Sequence, residues 1–166
     1  MDLYWDYQSS MLGNAMSFLT KKLTVPTTPS VKVPRGGSPA FQGDTSDQIR
    51  RMRTGISVTV VADIANRLGI SQENLYQMLK LPTSAIKNHI NKRGMLSAVE
   101  QDRMYRVDRV FNRTIEVLED ASAASIWIKQ PNRALGGEAP LSLLDTEVGY
   151  ELVLDTLGRI EHGVVS

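Results

Sequence analysis

Ser97-Ala98-Val99-Glu100 has the form of a capping box, and the residues behind it leave the fold little freedom. In such a box the Ser97 hydroxyl accepts the backbone N–H three residues on, while Glu100 reaches back to the Ser97 N–H. Met104, Val107, Phe111, Ile115 and Leu118 then make one apolar stripe, widened by Val110 and Val117. The spacing predicts a helix from Ser97 to about Glu119. Asp102 and Arg106 stand four apart in the favourable order, a pair that contributes only about 0.2–0.5 kcal/mol. A helix with one long apolar face needs partners to cover it, and the flanking patterns supply further helices, so an all-α protein is expected.

Upstream, Thr45 or Ser46 is placed to cap a helix through Arg53 that Thr54-Gly55 ends. The β-branched run Ile56 to Val61 resembles a strand, but Val58, Val61, Ala62, Ala65 and Leu68 recur at helical spacing before Gly69. A helix from Ser57 or Val58 is therefore predicted. Ser71 caps the next, with Glu73 in its first turn and Leu75, Met78 and Leu79 facing inward. Leu81-Pro82 breaks it; Thr83 or Ser84 caps another, with Ile86 and Ile90 inward and Gly94 as its stop.

Residues 72–91 thus have the length and apolar placement of a DNA-binding helix-turn-helix, with Leu75, Leu79, Leu81 and Ile86 internal. In that motif the second helix presents its N-terminal residues and outer face to base edges. Thr83, Ser84, Lys87, Asn88 and Asn91 then point toward DNA, and Lys92 and Arg93 approach phosphate. Asn pairs with adenine through two hydrogen bonds, and Lys donates to guanine or phosphate. Tyr76 stands where a small residue usually lets the helices approach, and Lys80 where the turn usually has Gly. Both a divergent working motif and a helical fold that has lost DNA contact are compatible with that. His89, alone between Asn88 and Ile90, reads as a structural residue, not an acid-base group.

Charge is divided along the chain. Residues 50–113 hold twelve Lys and Arg against five Asp and Glu, a net +7, whereas residues 114–166 hold three against nine, a net −6. Two partners of opposite sign are expected, with nucleic acid suited to the basic region; solvation of two helical surfaces by different charges is the plainer alternative. There is no Cys, and the two His, His89 and His162, lie far apart. Disulfides, a Cys/His zinc site and a Cys nucleophile are thereby excluded. No Gly-rich phosphate loop, metal-ligand spacing or Ser/His/Asp set is present, so no catalytic residues, metal or cofactor are expected. The run Met11 to Leu19 is too short for a membrane span and follows Asp2 and Asp6 in place of a basic leader. The cytoplasm is the expected address.

Residues 1–45 read as an arm. Leu12, Ala15, Met16, Leu19 and Leu23 fall on one helical face, and Pro26, Pro29, Pro34 and Pro39, with Gly36, Gly37 and Gly43, then forbid regular structure. A segment that docks on a partner, through Tyr4, Trp5 and Phe18, and an unstructured extension both remain open.

Beyond the long helix, Asp120 is placed to cap a short helix, Ala121 to Lys129, that ends before Pro131 and carries Trp127 as an apolar anchor. Gln130 to Ala139 forms a compact loop, Pro140 opens a turn of helix with Leu141, Leu143 and Leu144, and Asp145 or Thr146 caps the last helix. Tyr150, Val153, Leu154, Leu157 and Ile160 face inward there, with Glu147, Glu151, Asp155 and Glu161 outside and Gly163 as the stop.

Ala124, Trp127, Pro131-Asn132, Ala134-Leu135-Gly136-Gly137, Pro140-Leu141, Leu143-Leu144, Thr146, Gly149, Leu157, Ile160 and Gly163 resemble the toxin-binding domain of Xre/MbcA/ParS-type antitoxins. The helical region from about Arg53 is similar to the Xre-like part of that family, and the arm lies outside the resemblance. It implies an antitoxin, not an enzyme, of a type II toxin-antitoxin system. Its partner would be a RES-domain toxin that consumes NAD, held inactive by covering its active site. The pair would repress its own operator through the helix-turn-helix. A pocket that accepts the pyrophosphate of NAD suits an acidic C-terminal segment. His162, Gly163, Val164, Val165 and Ser166 are then expected to enter or cap that pocket, with Arg159 and Glu161 at its rim and Asn132, Arg133 and Leu135 contacting toxin from an exposed turn. Trp127, Leu141 and Leu144 are expected in the small domain's own core.

The expected organisation is an arm (1–45), a helix-turn-helix domain with its bracing helix (46–119) and a toxin-binding domain (120–166). A homodimer with two recognition helices one DNA turn apart is expected, the long helix being either its surface or the brace between domains. A stand-alone transcriptional regulator and a protein-binding scaffold are the alternatives.

Overall fold

A computed structural model describes residues 37–85 and 94–163 of the chain. The arm up to residue 36, the run Ile86, Lys87, Asn88, His89, Ile90, Asn91, Lys92 and Arg93, and the tail Val164, Val165 and Ser166 lie outside the described residues. All regular elements among the described residues are helical, and one isolated antiparallel bridge joins Ser57 to Met95.

The order is α1 (Thr45–Thr54), α2 (Thr59–Leu68), α3 (Gln72–Met78), α4 (Ala98–Leu118), α5 (Ala121–Trp127), α6 (Pro140–Leu143) and α7 (Glu147–Glu161), with short 3-10 turns at Pro39–Phe41 and Arg133–Leu135. None of these helices is long and apolar enough to cross a membrane.

Most caps follow from residue type. Ser71 accepts from the Asn74 N–H, Asp120 from the N–H groups of Ser122 and Ala123, and Thr146 from the Gly149 N–H. Ser97 and Glu100 make both bonds of the capping box. At α1 the cap is Asp44, whose carboxylate accepts from the Asp47 N–H at 2.8 Å. Thr45 and Ser46 are instead at the start of the helix, since the carboxylate one residue earlier already satisfies the free N–H.

The start of α2 also differs from expectation. Ile56 and Ser57 run extended beside Met95 and Leu96, the Leu96 N–H reaching the Ile56 carbonyl at 2.9 Å and the Val58 N–H that of Gly94 at 3.2 Å. The helix begins only at Thr59, because the first β-branched residues pair with the segment before α4. Its buried apolar face is Val60, Val61, Ile64, Ala65 and Leu68.

Helix α4 is the central element, packing on α2, α5 and α7 through Met104, Val107, Val110 and Phe111. The same apolar core continues through Ala124, Ile128, Leu141, Leu144, Val153 and Leu157. Burial of one such Leu contributes about 1.5–3 kcal/mol. Leu141 and Leu144 are fully buried and Trp127 packs partly buried against the core, as expected of them. The N-terminus of α7 lies so close to α6 that a Cβ on Gly149 would stand 2.0 Å from the Leu143 carbonyl oxygen. Only glycine fits there without backbone movement.

Two faces that form the candidate functional site

The first face is built around the turn after α3. Lys80 adopts φ +52°, the left-handed conformation that glycine favours, so the turn keeps its shape without glycine. The Leu81 N–H reaches back to the Tyr76 carbonyl at 2.8 Å, and Ser84 and Ala85 are again helical. Arg103 of α4 holds the turn from outside, donating to the carbonyls of Leu79 at 2.6 Å and Lys80 at 3.1 Å. The Lys80 ammonium meets the Asp145 carboxylate at 2.8 Å.

Tyr76 is fully buried, and its hydroxyl donates to Glu100 Oε1 at 3.0 Å. Burial, then the charge and hydrogen bond of Glu100, push the phenol well above its usual range, so it remains a neutral donor. The large residue where a small one is usual therefore packs toward the α4 cap. Thr83 is half-buried and Ser84 exposed at the helical start, while Lys87, Asn88, Asn91, Lys92 and Arg93 lie outside the described residues.

The second face belongs to residues 120–163. Asn132 caps the 3-10 turn, its side chain accepting from the Ala134 N–H at 2.9 Å. Arg133 is exposed. Leu135, expected in an exposed turn, is only 4% accessible and belongs to the core. The left-handed Gly136 and Gly137 that follow carry the chain back, so the 3-10 turn folds its one large apolar side chain inward. Arg159, Glu161, His162 and Gly163 are exposed at the end of α7. Glu161 pairs with Arg113 of α4.

Further bonds tie this half to the preceding helices. Arg106 of α4 bridges Asp102 at 2.6 Å and Glu147 of α7 at 2.9 Å. Ser125 Oγ and Lys129 Nζ both donate to the Leu68 carbonyl, at 2.8 and 2.7 Å, satisfying a carbonyl at the end of α2 that the helix itself leaves free. Burial lowers the Lys129 pKa.

Val148 and Leu152 are 76% and 39% accessible on the outer side of α7.

Residues 113–163 match the family model for the antitoxin Xre/MbcA/ParS C-terminal toxin-binding domain, and residues 47–107 that for the antitoxin Xre-like helix-turn-helix domain. One match ends at residue 107 and the other begins at 113, both within α4, which runs unbroken through residues 98–118. The chain is similar to an Antitoxin Xre of Photorhabdus laumondii, 32% identical over 146 residues that cover 84% of this chain and 97% of the relative. An Antitoxin Xre of Yersinia enterocolitica is 30% identical over 131 residues, 78% of this chain and 87% of the relative. A Prs ADP-ribosylating antitoxin of a Sphingobium species is 23% identical over 132 residues, 74% and 83% of the two chains.

Proposed function

The chain belongs to the Xre/MbcA/ParS family of antitoxins, with an Xre-like helix-turn-helix, and on that footing we propose that it neutralises a RES-type, NAD-consuming toxin by covering its active site. It acts by binding, in the cytoplasm, and represses its own operon as a homodimer through the helix-turn-helix. Functionally the chain divides at residues 119 and 120, into a DNA-reading part and a toxin-gripping part after the arm of residues 1–45.

The observation that carries this reading is the pairing of two unlike faces on one α4. The helix-turn-helix turn is formed despite Lys80, which supports operator contact through Thr83, Ser84, Lys87, Asn88, Asn91, Lys92 and Arg93. The exposed end of α7 supports toxin contact through Arg159, Glu161, His162 and Gly163, continued by Val164, Val165 and Ser166, with Arg133 and Asn132 beside the 3-10 turn. Leu135 has no part in it, being buried.

Co-expression with the product of the adjacent reading frame, followed by purification, tests the proposal. Restored growth and a stable complex are expected; toxicity unchanged by this chain excludes it. The Sphingobium relative's name favours a second reading of the partner, as a toxin that transfers ADP-ribose from NAD to a protein. An ADP-ribose mass increment on a cellular protein treated with the toxin distinguishes that from NAD destruction.

A further inference from the structure

We infer that the outer face of α1, built on Arg50 and Arg53, is a second contact with operator DNA that holds the phosphate backbone and reads no base, an inference that rests on the operator-binding reading above. Helix α1 buries none of its residues fully. Its inner side is held by Arg51, which donates to the Pro39 carbonyl at 2.7 Å, and by Gln48, which accepts from the Tyr105 hydroxyl at 3.3 Å. Ser46, Ile49, Arg50 and Arg53, three and four residues apart, share the other side, line one shallow concavity with Thr54 and are all exposed. Arg50 pairs with Asp47 of its own helix and keeps its side chain 71% accessible. Arg53 makes no ion pair or hydrogen bond among the described residues.

Position and charge together identify the ligand. The last turn of α1 leads through Gly55 into Ile56, Ser57 and Val58, which pair with Gly94, Met95 and Leu96. The approach is close enough that a Cβ on Gly55 would stand 2.9 Å from Met95 Cε. Gly94 directly follows Arg93, the end of the proposed base-reading stretch, so the turn that carries Arg53 adjoins the point where a helix in the major groove meets the sugar-phosphate backbone. Helix α1 holds three arginines against one carboxylate, Asp47, and both Asp47 and the capping Asp44 lie at the end away from Gly94. Residues 54–62 and 94–99 contain no Asp or Glu, and Glu100 is buried. The side chains of Thr54, Ser57 and Thr59 are exposed along the same stretch. Guanidinium and hydroxyl groups are common donors to phosphate oxygens, and such contacts set register without reading sequence.

The test uses the full-length chain and two labelled duplexes, one carrying the DNA upstream of its reading frame and one of scrambled sequence, with affinity read by fluorescence anisotropy over a series of KCl concentrations. Arg50→Gln combined with Arg53→Gln is expected to flatten the slope of log K against log salt by about 2, since each phosphate contact contributes about 0.9. Affinity falls by the same factor on both duplexes, so the preference between them holds, and the melting temperature stays at the wild-type value. Arg50→Lys combined with Arg53→Lys restores most of the slope, because a lysine supplies the same charge. An unchanged slope in the Gln variant, with wild type binding, overturns this inference and leaves the operator-binding reading standing. Loss of the preference between duplexes with the slope intact makes the arginines base readers, and the inference fails. Unchanged DNA binding with loss of self-association or of binding to the adjacent gene's product makes the face a protein contact, and the inference fails. No binding of either duplex by wild type overturns both readings.

Discussion

The Lys80 ammonium lies 2.8 Å from the Asp145 carboxylate, so the turn of the helix-turn-helix is tied to the residue before the Thr146 cap of α7. Lys80 is 70% accessible and Asp145 10%, so solvent screens the pair and its contribution stays below about 1 kcal/mol. Its value is positional: it joins the turn after α3 to the start of α7. A double-mutant cycle with Lys80→Met and Asp145→Asn, read by denaturant unfolding, is expected to give a coupling under about 1 kcal/mol. In the Asp145→Asn background, Lys80→Gly is expected to raise stability by about 0.5–1 kcal/mol, because glycine takes the left-handed conformation freely. A loss of stability there contradicts the strain assigned to Lys80.

Tyr76→Phe keeps the ring in the core and removes only the hydroxyl that meets Glu100. The expected cost is about 1–1.5 kcal/mol in chemical denaturation, with the fold retained, since Glu100 keeps its bonds to Ser97. A neutral substitution contradicts the role given to that hydroxyl.

Gly149→Ala places a methyl group against the Leu143 carbonyl and forces α6 and α7 apart. A loss of about 1–3 kcal/mol is expected by thermal or denaturant unfolding. Gly158, where an added Cβ meets nothing, serves as the control, and Gly158→Ala is expected to be neutral or slightly stabilising.

Arg67 and Asp108 form a buried ion pair between α2 and α4, with Asn112 Oδ1 accepting from Arg67 at 2.6 Å and Asp108 accepting the Ser38 N–H at 2.7 Å. Burial raises the Asp108 pKa above its ordinary 3.8, only partly offset by the Ser38 N–H and Arg67. A carboxyl raised in the folded state favours folding below its unfolded value, and that contribution is lost as pH rises through the folded value. Arg67→Met is therefore expected to cost about 3–5 kcal/mol near neutral pH, where it leaves a buried carboxylate without its partner. The deficit narrows as pH falls toward 4, and unfolding curves at several pH values check it.

Local signals were legible at four helix starts, though not at α1, where Asp44 caps in place of Thr45 or Ser46. Ser71, Ser97 with Glu100, Asp120 and Thr146 all cap the helices their positions announce. Features set by distant partners were not. The extended pairing of Ile56 with Leu96 spans forty residues of chain, and the inward fold of Leu135 depends on α7, which packs on its 3-10 turn from later in the chain. Tyr76 reads as a departure from the motif because its acceptor, Glu100, lies 24 residues further along, in α4. The end of α7 was legible as exposed from its charges.

The rate at which the adjacent gene's product consumes NAD, measured while this chain is titrated in, tests the central claim most directly. The antitoxin reading predicts that NAD loss falls to background at a fixed stoichiometric ratio, with truncation after Glu161 relieving the block. NAD loss that continues undiminished in an excess of the folded chain contradicts it.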